Sequence, residues 1–160
     1  MKKLGVYLDS SVMSHLDAPD TPEKMADTKL FWKDLLDDLY DVFISPVVIA
    51  EIQRTAEPKL NFMLEQMKAL NFNLLAPSEE VNALADEYLR HGVLTQKSVD
   101  DCLHIAYAVV YHCDVIVSWN FSHLVNYRTI DRVRIVNAIN RYREISIVSP
   151  TMMIGGNQNE

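Results

Sequence analysis

Four polar residues, far apart in the sequence, stand where a fold could bring their side chains together. Asp9 directly follows the apolar run 4–8, and Asn120 follows soon after the apolar run 115–117. Glu51 lies about one and a half turns into the helix predicted after a third apolar run, 42–44. Asp101 lies near the start of the helix that leads to 115–117. Three carboxylates and one amide are therefore the candidate reactive groups.

Three carboxylates in one crevice repel one another, so they need a cation unless one of them is protonated. Oxygen ligands without His or Cys suit Mg²⁺ or Mn²⁺, which few carboxylates and several waters can hold. A metal held in this way can activate a water molecule and neutralise the charge that develops on a phosphate. The pattern therefore favours hydrolysis of a phosphate ester.

Each of the four residues also has a purely structural interpretation. Asp9 can cap the turn that follows it, Glu51 can be an ordinary surface residue, and Asn120 can satisfy a turn. Asp101 is three residues after Ser98, a spacing similar to a capping box, and acidic residues favour a helix N-terminus. Four coincidences at one edge of one sheet favour a shared site over four separate structural roles.

Asp100 and Asp101 are adjacent, and helical geometry separates them. At about 100° per residue, one side of this helix is apolar and Asp101 lies on its flank, where it can face a cleft. Asp100 falls on the opposite side with His104, Tyr107 and Tyr111. We therefore predict that Asp101 points inward and that Asp100 is its solvated neighbour. The apolar side consists of Cys102, Leu103, Ala106, Val109, Val110 and Cys113.

The elements that must position these residues alternate between strands and helices. Strands that alternate with helical patterns indicate a parallel sheet with helices on both faces, and ligands bind at the carboxyl ends of such strands. Ser45 and Pro46 form a predicted helix start, and Gly92 a predicted helix end. The predicted strands cover 4–8, 42–44, 72–75, 115–117 and 145–148, and the predicted helices cover 22–40, 46–54, 58–69, 78–91, 98–112 and 128–142.

Composition excludes several classes of protein. The chain has 160 residues and 49% hydrophobic residues, which is enough for one domain with its own core. No apolar run approaches the ~20 residues of a transmembrane helix, so we expect no membrane association. Asp9 interrupts the first apolar stretch too early for a signal peptide. Cys102 and Cys113 match no zinc motif and are predicted to be buried thiols in a reducing cytoplasm.

The charge is unevenly distributed along the chain. A net charge of −7 argues against a protein that coats nucleic acid, but residues 121–145 carry five Arg against Asp131 and Glu144. A polyanion would therefore be met near this segment, and Arg128, Arg132 and Arg134 are the candidate contacts. A solvent-facing helix or a subunit contact is the alternative interpretation of the same arginines.

Several segments together resemble the PIN domain family, in matching order and spacing over nearly the whole chain. The Trp-Asn-Phe-x-His-Leu segment is the most specific, and it resembles a prokaryotic subgroup. The segments are Leu8-Asp9-Ser10-Ser11-Val12, Ser45-Pro46-x-Val48-x-x-Glu51-Ile52, Asp101-x-x-His104-Ile105-Ala106-x-Ala108 and Val117-Ser118-Trp119-Asn120-Phe121-Ser122-His123-Leu124.

This resemblance implies a single three-layer α/β/α, Rossmann-like domain whose central parallel sheet has about four or five strands. It implies an endoribonuclease that depends on Mg²⁺ or Mn²⁺, commonly the toxin of a VapBC-type toxin–antitoxin pair, with an antitoxin partner and a homodimeric assembly. The metal-binding acids of the family correspond to Asp9, Glu51 and Asp101, and its fourth position corresponds to Asn120. The hydroxyl residue after the first acid corresponds to Ser10.

The predicted domain covers residues 1–150, and a frayed tail is expected from Thr151 to the end at residue 160. Asn120 departs from the four-acid pattern of active family members and weakens the attraction for a second cation. The main alternative is therefore a PIN fold that binds RNA or protein without catalysis. A dinucleotide-binding domain lacks its glycine motif here, and an aspartyl-phosphate phosphatase lacks its second Asp, since Ser11 stands there.

Overall fold

The computed structural model describes residues 2–155 and contains one five-stranded sheet in which every neighbouring pair is parallel. The strand order is β3-β2-β1-β4-β5. All residues of β1 and β4 are buried, because helices cover both faces of the sheet there. The predicted α/β fold is thereby confirmed. The strands are β1 (Gly5–Leu8), β2 (Asp41–Ile44), β3 (Phe72–Leu74), β4 (Val115–Val117) and β5 (Ser146–Val148).

Eight α-helices and one short 3-10 helix (Gln96–Ser98) connect and flank these strands within the described residues. The hydrophobic core lies between the sheet and the helices, and Tyr7, Leu8, Ile105 and Ile116 are among its fully buried members. None of the helices is both long and apolar enough to cross a lipid bilayer. They are α1 (Ser10–Ser14), α2 (Pro22–Leu36), α3 (Pro46–Gln53), α4 (Lys59–Lys68), α5 (Glu79–Arg90), α6 (Val99–Val110), α7 (Tyr127–Ile139) and α8 (Pro150–Ile154).

The strand order reverses direction between β1 and β4. The chain builds the sheet outward from β1 through β2 to β3, and then returns to add β4 on the other side of β1. Such a switch point leaves a crevice at the carboxyl ends of the two central strands, where open parallel sheets bind ligands. Asp9 follows β1 and Asn120 comes three residues after β4, so both stand at this crevice.

The helix starts predicted at Ser45 and Ser78 are confirmed, whereas Ser98 makes no capping hydrogen bond at the start of α6. Ser45 accepts a hydrogen bond from the Val47 backbone N–H, and Pro46 is the first residue of α3. Ser78 caps α5 through the Val81 N–H. Gly92 follows the end of α5 with φ of +68°, a conformation that glycine adopts without strain.

Three helices end earlier than we predicted. Helices α2, α6 and α7 stop at Leu36, Val110 and Ile139, and in each case a non-glycine residue soon afterwards takes a left-handed φ near 60°. This conformation turns the chain toward the next strand. Asp38, His112 and Arg141 are the three residues that adopt it.

Two short helices were absent from the prediction. Asp9 caps α1, and α8 occupies residues that we expected to be frayed from Thr151 onward. The Thr151 hydroxyl donates to Asp27 of α2 at 2.6 Å and Pro150 is buried, so α8 is packed against the body of the domain. Residues 156–160 of the predicted tail lie outside the described residues. The two cysteines are buried and unpaired.

Candidate active site

Asp9 joins the carboxyl ends of the two central strands. Its side chain is only 4% exposed. Oδ1 accepts hydrogen bonds from the Ser11 N–H at 3.1 Å and the Ser11 hydroxyl at 2.5 Å, and Oδ2 accepts one from the Ser118 hydroxyl at 2.6 Å. Ser118 directly follows β4, so the first acid is fixed from both sides of the crevice.

Glu51 is held by a buried chain of hydrogen bonds that reaches into the core. His104 Nε2 of α6 donates to Glu51 Oε1 at 2.5 Å. The other nitrogen of that ring, Nδ1, lies 2.6 Å from the Tyr7 hydroxyl, which also lies 2.8 Å from Ser45 Oγ. Tyr7 and Ser45 are fully buried and His104 is 1% exposed. The rotamer of Glu51 is therefore tied to β1 and to the N-cap of α3 through His104.

Asp101 is held by residues of the segment that follows β4. Its Oδ2 accepts a hydrogen bond from His123 Nδ1 at 3.0 Å, and Asn120 Nδ2 approaches Oδ1 at 3.5 Å. Asn120 is itself fixed, because its Oδ1 accepts from the His123 N–H at 3.0 Å and its own N–H donates to the Ser118 hydroxyl at 2.9 Å. Asn120 thus links Ser118, which binds Asp9, to Asp101.

Asp100 points away from this cluster, as predicted. Its carboxylate pairs with Arg54, the residue directly after α3, at 3.2 Å and is 39% exposed, whereas the Asp101 side chain is 15% exposed. The prediction that His104 lies on the solvent side of α6 with Asp100 is wrong. Helix α6 is buried around most of its circumference. Its apolar side is therefore not the only side that faces the protein interior.

The charges of the three acids converge on His104. Burial raises the pKa of Asp9 and the pKa of Asp101, and the negative charge of Glu51 raises both pKa values further. Burial opposes protonation of His104, but its hydrogen bond to Glu51 and the charges of Glu51, Asp9 and Asp101 outweigh that effect and raise the pKa of His104. The negative charges of all three carboxylates therefore favour the protonated form of His104.

The donor chemistry of this cluster fits a hard divalent cation. Asp9, Glu51 and Asp101 offer only oxygen ligands, and the raised pKa values of Asp9 and Asp101 reflect buried negative charge that a cation would relieve. Within residues 2–155, no three His, Cys, Asp or Glu side chains are arranged as a ready-made metal cage. The carboxylates instead hold serine and histidine partners, so the metal site stays a prediction.

Several contacts were missed from the sequence alone. The hydroxyls that bind Asp9 belong to Ser11 and Ser118, and the predicted supporting residue Ser10 makes no side-chain hydrogen bond to any described residue. The one available signal for His104 is its spacing, because residues three apart on a helix are neighbours on its surface and Asp101 stands three before it. Nothing local in the sequence points to Tyr7, which is reached only through the fold.

The three candidate RNA contacts of α7 do not share one surface. Arg128 and Arg132 line a cavity beside His123. Arg134 lines a different cavity near β5 and pairs with Asp131 at 2.6 Å. Only the first two arginines therefore adjoin the acid cluster.

Trp119 is packed directly against the cluster. Its N–H donates to Ser11 Oγ at 2.9 Å, and its indole Nε1 donates to Thr28 Oγ1 of α2 at 2.8 Å. The ring is 6% exposed and meets Phe121 edge to face, with Lys24 above both rings. The segment 118–123 is thus anchored to α1 and α2 as well as to the acids.

Comparison with known proteins agrees with this geometry. The family model described as PIN domain matches residues 6–120. A chain in the crystal structure of VapBC2 from Rickettsia felis bound to a DNA fragment from their promoter superposes with a TM-score of 0.55 at 12% identity. That match covers 91% of this chain and 98% of the other, and at this identity it shows the fold alone. No curated protein matches the chain.

Proposed function

The chain belongs to the PIN domain family, and from this premise we propose that it is a ribonuclease that hydrolyses RNA phosphodiester bonds with Mg²⁺ or Mn²⁺. PIN domains are in general nucleases. The finer assignment, to the toxin of a VapBC-type pair, takes its support from the fold shared with a chain of the VapBC2 complex. The RNA substrate, the metal and the role of each residue belong to this proposal.

One observation carries the proposal. Asp9, Glu51 and Asp101 come from three separate segments beside the crevice between β1 and β4. Glu51 contacts His104 directly, and Ser118 and Asn120 link Asp9 to Asp101. A fold does not need three partly or fully buried acids around one imidazole for its stability, because burying charge is costly. Such an arrangement is typical of a site that binds a cation or a substrate.

The proposed roles follow from the contacts of each side chain. Asp9, Glu51 and Asp101 would hold the metal, which when bound supplies an activated water and neutralises charge on the phosphate. Ser11 and Ser118 hold Asp9 in place, and His104 does the same for Glu51. Asn120 would orient Asp101 without adding a fourth negative charge, so the site favours one tightly bound cation over two.

A second candidate function is a PIN-fold module that binds RNA or protein without cleaving it. Asn120 is the observation that favours it, because an amide replaces the fourth acid and already has its oxygen engaged by the His123 N–H. Both candidates use the same crevice. The two candidate functions differ in whether RNA is cleaved when a metal is bound at the acids.

The proposed partners follow from the same groups. A basic segment of an antitoxin protein would pair its Arg or Lys side chains with Asp9, Glu51 and Asp101, and so would compete with the metal for the same carboxylates. From the family resemblance we also propose that the chain forms a homodimer and is cytoplasmic. Sedimentation of the purified chain measures its oligomeric state.

The test is cleavage of a labelled single-stranded RNA by the purified chain, with Mn²⁺ or with EDTA. We expect cleavage with Mn²⁺, none with EDTA, and none for Glu51→Gln. Glu65→Gln is the matched control, because Glu65 is exposed on α4 and forms a surface ion pair with Lys68. RNA binding without cleavage under every metal condition would support the inactive module, and cleavage in EDTA would contradict the metal-dependent mechanism.

A further inference from the structure

A polar cavity of about 280 Å³ opens beside the acid cluster. Its walls come from the segment after α5, from the start of α6 and from the loop that leads into α7. The first turn of α7 closes it, and Asn126 caps that turn by accepting the Thr129 N–H at 2.9 Å. Besides three residues of the 92–94 segment, the lining consists of Thr95, Ser98, Ser122, His123, Asn126, Arg128, Thr129 and Arg132.

The charged groups that line this cavity are basic. Arg128 and Arg132 contribute guanidinium groups, and no Asp or Glu is among the lining residues. Arg132 is half-buried and fixed, because its Nη1 donates to the Gly92 carbonyl at 2.5 Å. Arg128 is exposed and forms no ion pair with any residue in the described part of the chain. Unneutralised arginines at one cavity are unusual in a chain with a net charge of −7.

The cavity communicates with the acid cluster through a single side chain. His123 Nδ1 contacts Asp101 Oδ2 at 3.0 Å and lies 3.4 Å from Ser98 Oγ, and His123 is itself part of the cavity wall. A polymer with one phosphate at the acids would therefore extend past His123 into the cavity.

We propose that this cavity binds a backbone phosphate of the RNA strand, next to the phosphate that is cleaved. The proposal rests on the proposed ribonuclease function. Arginine binds phosphate through two parallel N–H donors, and the free N–H groups at the start of α7 add partial positive charge at the same place. Arg128 is the main contact, Arg132 forms the fixed wall, and Thr95 and Ser122 contribute hydroxyl groups.

An acidic protein segment is the competing occupant, because carboxylates also pair with arginine. RNA is favoured because the cavity continues directly from acids that suit phosphate chemistry, so one strand occupies both.

The test measures binding of a labelled single-stranded RNA in EDTA, where cleavage does not interfere, over a series of KCl concentrations. We expect Arg128→Gln to lower the slope of log K against log[KCl] by about 0.7–1, the value of one phosphate contact. Arg134→Gln is the matched control on the same helix, and its slope should equal that of the wild type. Arg128 makes no ion pair within residues 2–155, so its variant should keep the wild-type Tm.

Two competitors identify the chemistry of the occupant. An abasic sugar–phosphate oligomer should displace the RNA from the wild type, and this displacement should weaken in Arg128→Gln. Displacement by an oligoglutamate alone, with the same dependence on Arg128, would overturn the proposal in favour of a protein partner. Equal slopes for Arg128→Gln and Arg134→Gln would also overturn it.

These outcomes are separable from the ribonuclease proposal. Cleavage with Mn²⁺ together with an unchanged slope in Arg128→Gln rejects the phosphate site alone. A changed slope without any cleavage supports the phosphate site and rejects the catalytic function.

Discussion

Tyr7→Phe tests whether the buried hydrogen-bond chain controls the acid cluster. The substitution removes one oxygen from a fully buried ring and keeps its shape. His104 Nδ1 then loses its hydrogen bond, while Ser45 Oγ keeps the Val47 N–H. Glu51 keeps its contact to His104, but the imidazole is no longer fixed from behind.

The size of the effect follows from these contacts. Leaving a buried polar atom without a partner costs about 1–3 kcal/mol in the free energy of unfolding. For a chain of about this length, each kcal/mol lowers Tm by about 2–4 °C, so we expect a decrease of about 2–12 °C. Loss of an outer partner of a metal ligand lowers metal affinity or activity by about 10–100-fold, and we expect about tenfold because Tyr7 acts through His104.

Tyr88→Phe is the matched control. The Tyr88 hydroxyl is also fully buried and donates to Asn137 Oδ1 at 2.5 Å, between α5 and α7 and without contact to the acids. Thermal melts of the two variants should show similar decreases in Tm. Only Tyr7→Phe should need more Mn²⁺ for half-maximal thermal stabilisation and for half-maximal cleavage. Equal Mn²⁺ requirements in the two variants would refute a positioning role for the chain from Tyr7 to Glu51.

Four further predictions concern the acids. Asp101→Asn should abolish RNA cleavage while Asp100→Asn retains most of it, as measured by initial rates; the reverse order would reject the assignment of the inward acid. Mn²⁺ at about 100 times its Kd should add about 2.7 kcal/mol of stability and raise Tm by about 5–11 °C, an effect that EDTA removes. Because the pKa values of Asp9 and Asp101 are raised on folding, both carboxyls favour the folded state at low pH and lose that contribution as the pH rises through the raised values. Mn²⁺ needs their ionised forms, so its Tm increase should be larger at about pH 8 than at about pH 5, and an equal increase would argue against these ligands. A basic peptide should inhibit cleavage less at higher Mg²⁺, as titration of its inhibition constant would show, whereas a constant value would place the peptide elsewhere.

Periodicity and local signals predicted most of the fold. Continuous apolar runs identified the buried parallel strands, and the pair Ser45 and Pro46 marked the start of α3. The helix ends were less predictable, because the chain turns there through Asp38, His112 and Arg141 in a left-handed conformation. Glycine would have signalled these turns, whereas non-glycine residues adopt this conformation much less often and mark a turn less clearly.

The candidate site was predictable in part for a similar reason. A sheet with parallel strands brings residues after its strands to one edge, which allowed Asp9 and Asn120 to be grouped from sequence. The partners that fix the acids depend on packing between elements, and no local pattern reports this. His104 shows the limit, because a helix that is buried around most of its circumference gives no reliable inward side.

The packing of Trp119 gives the molecule an optical reporter at the acid cluster. The chain has two tryptophans, and the other, Trp32, lies on α2 beside a separate cavity. Trp119 lies between Ser11 and Phe121, and its ring centroid is 5.6 Å from that of His15. Any ligand that shifts the 118–123 segment therefore changes the surroundings of the indole. In a Trp32→Phe background, intrinsic fluorescence would therefore follow the arrival of a metal or an RNA strand in real time, without a label.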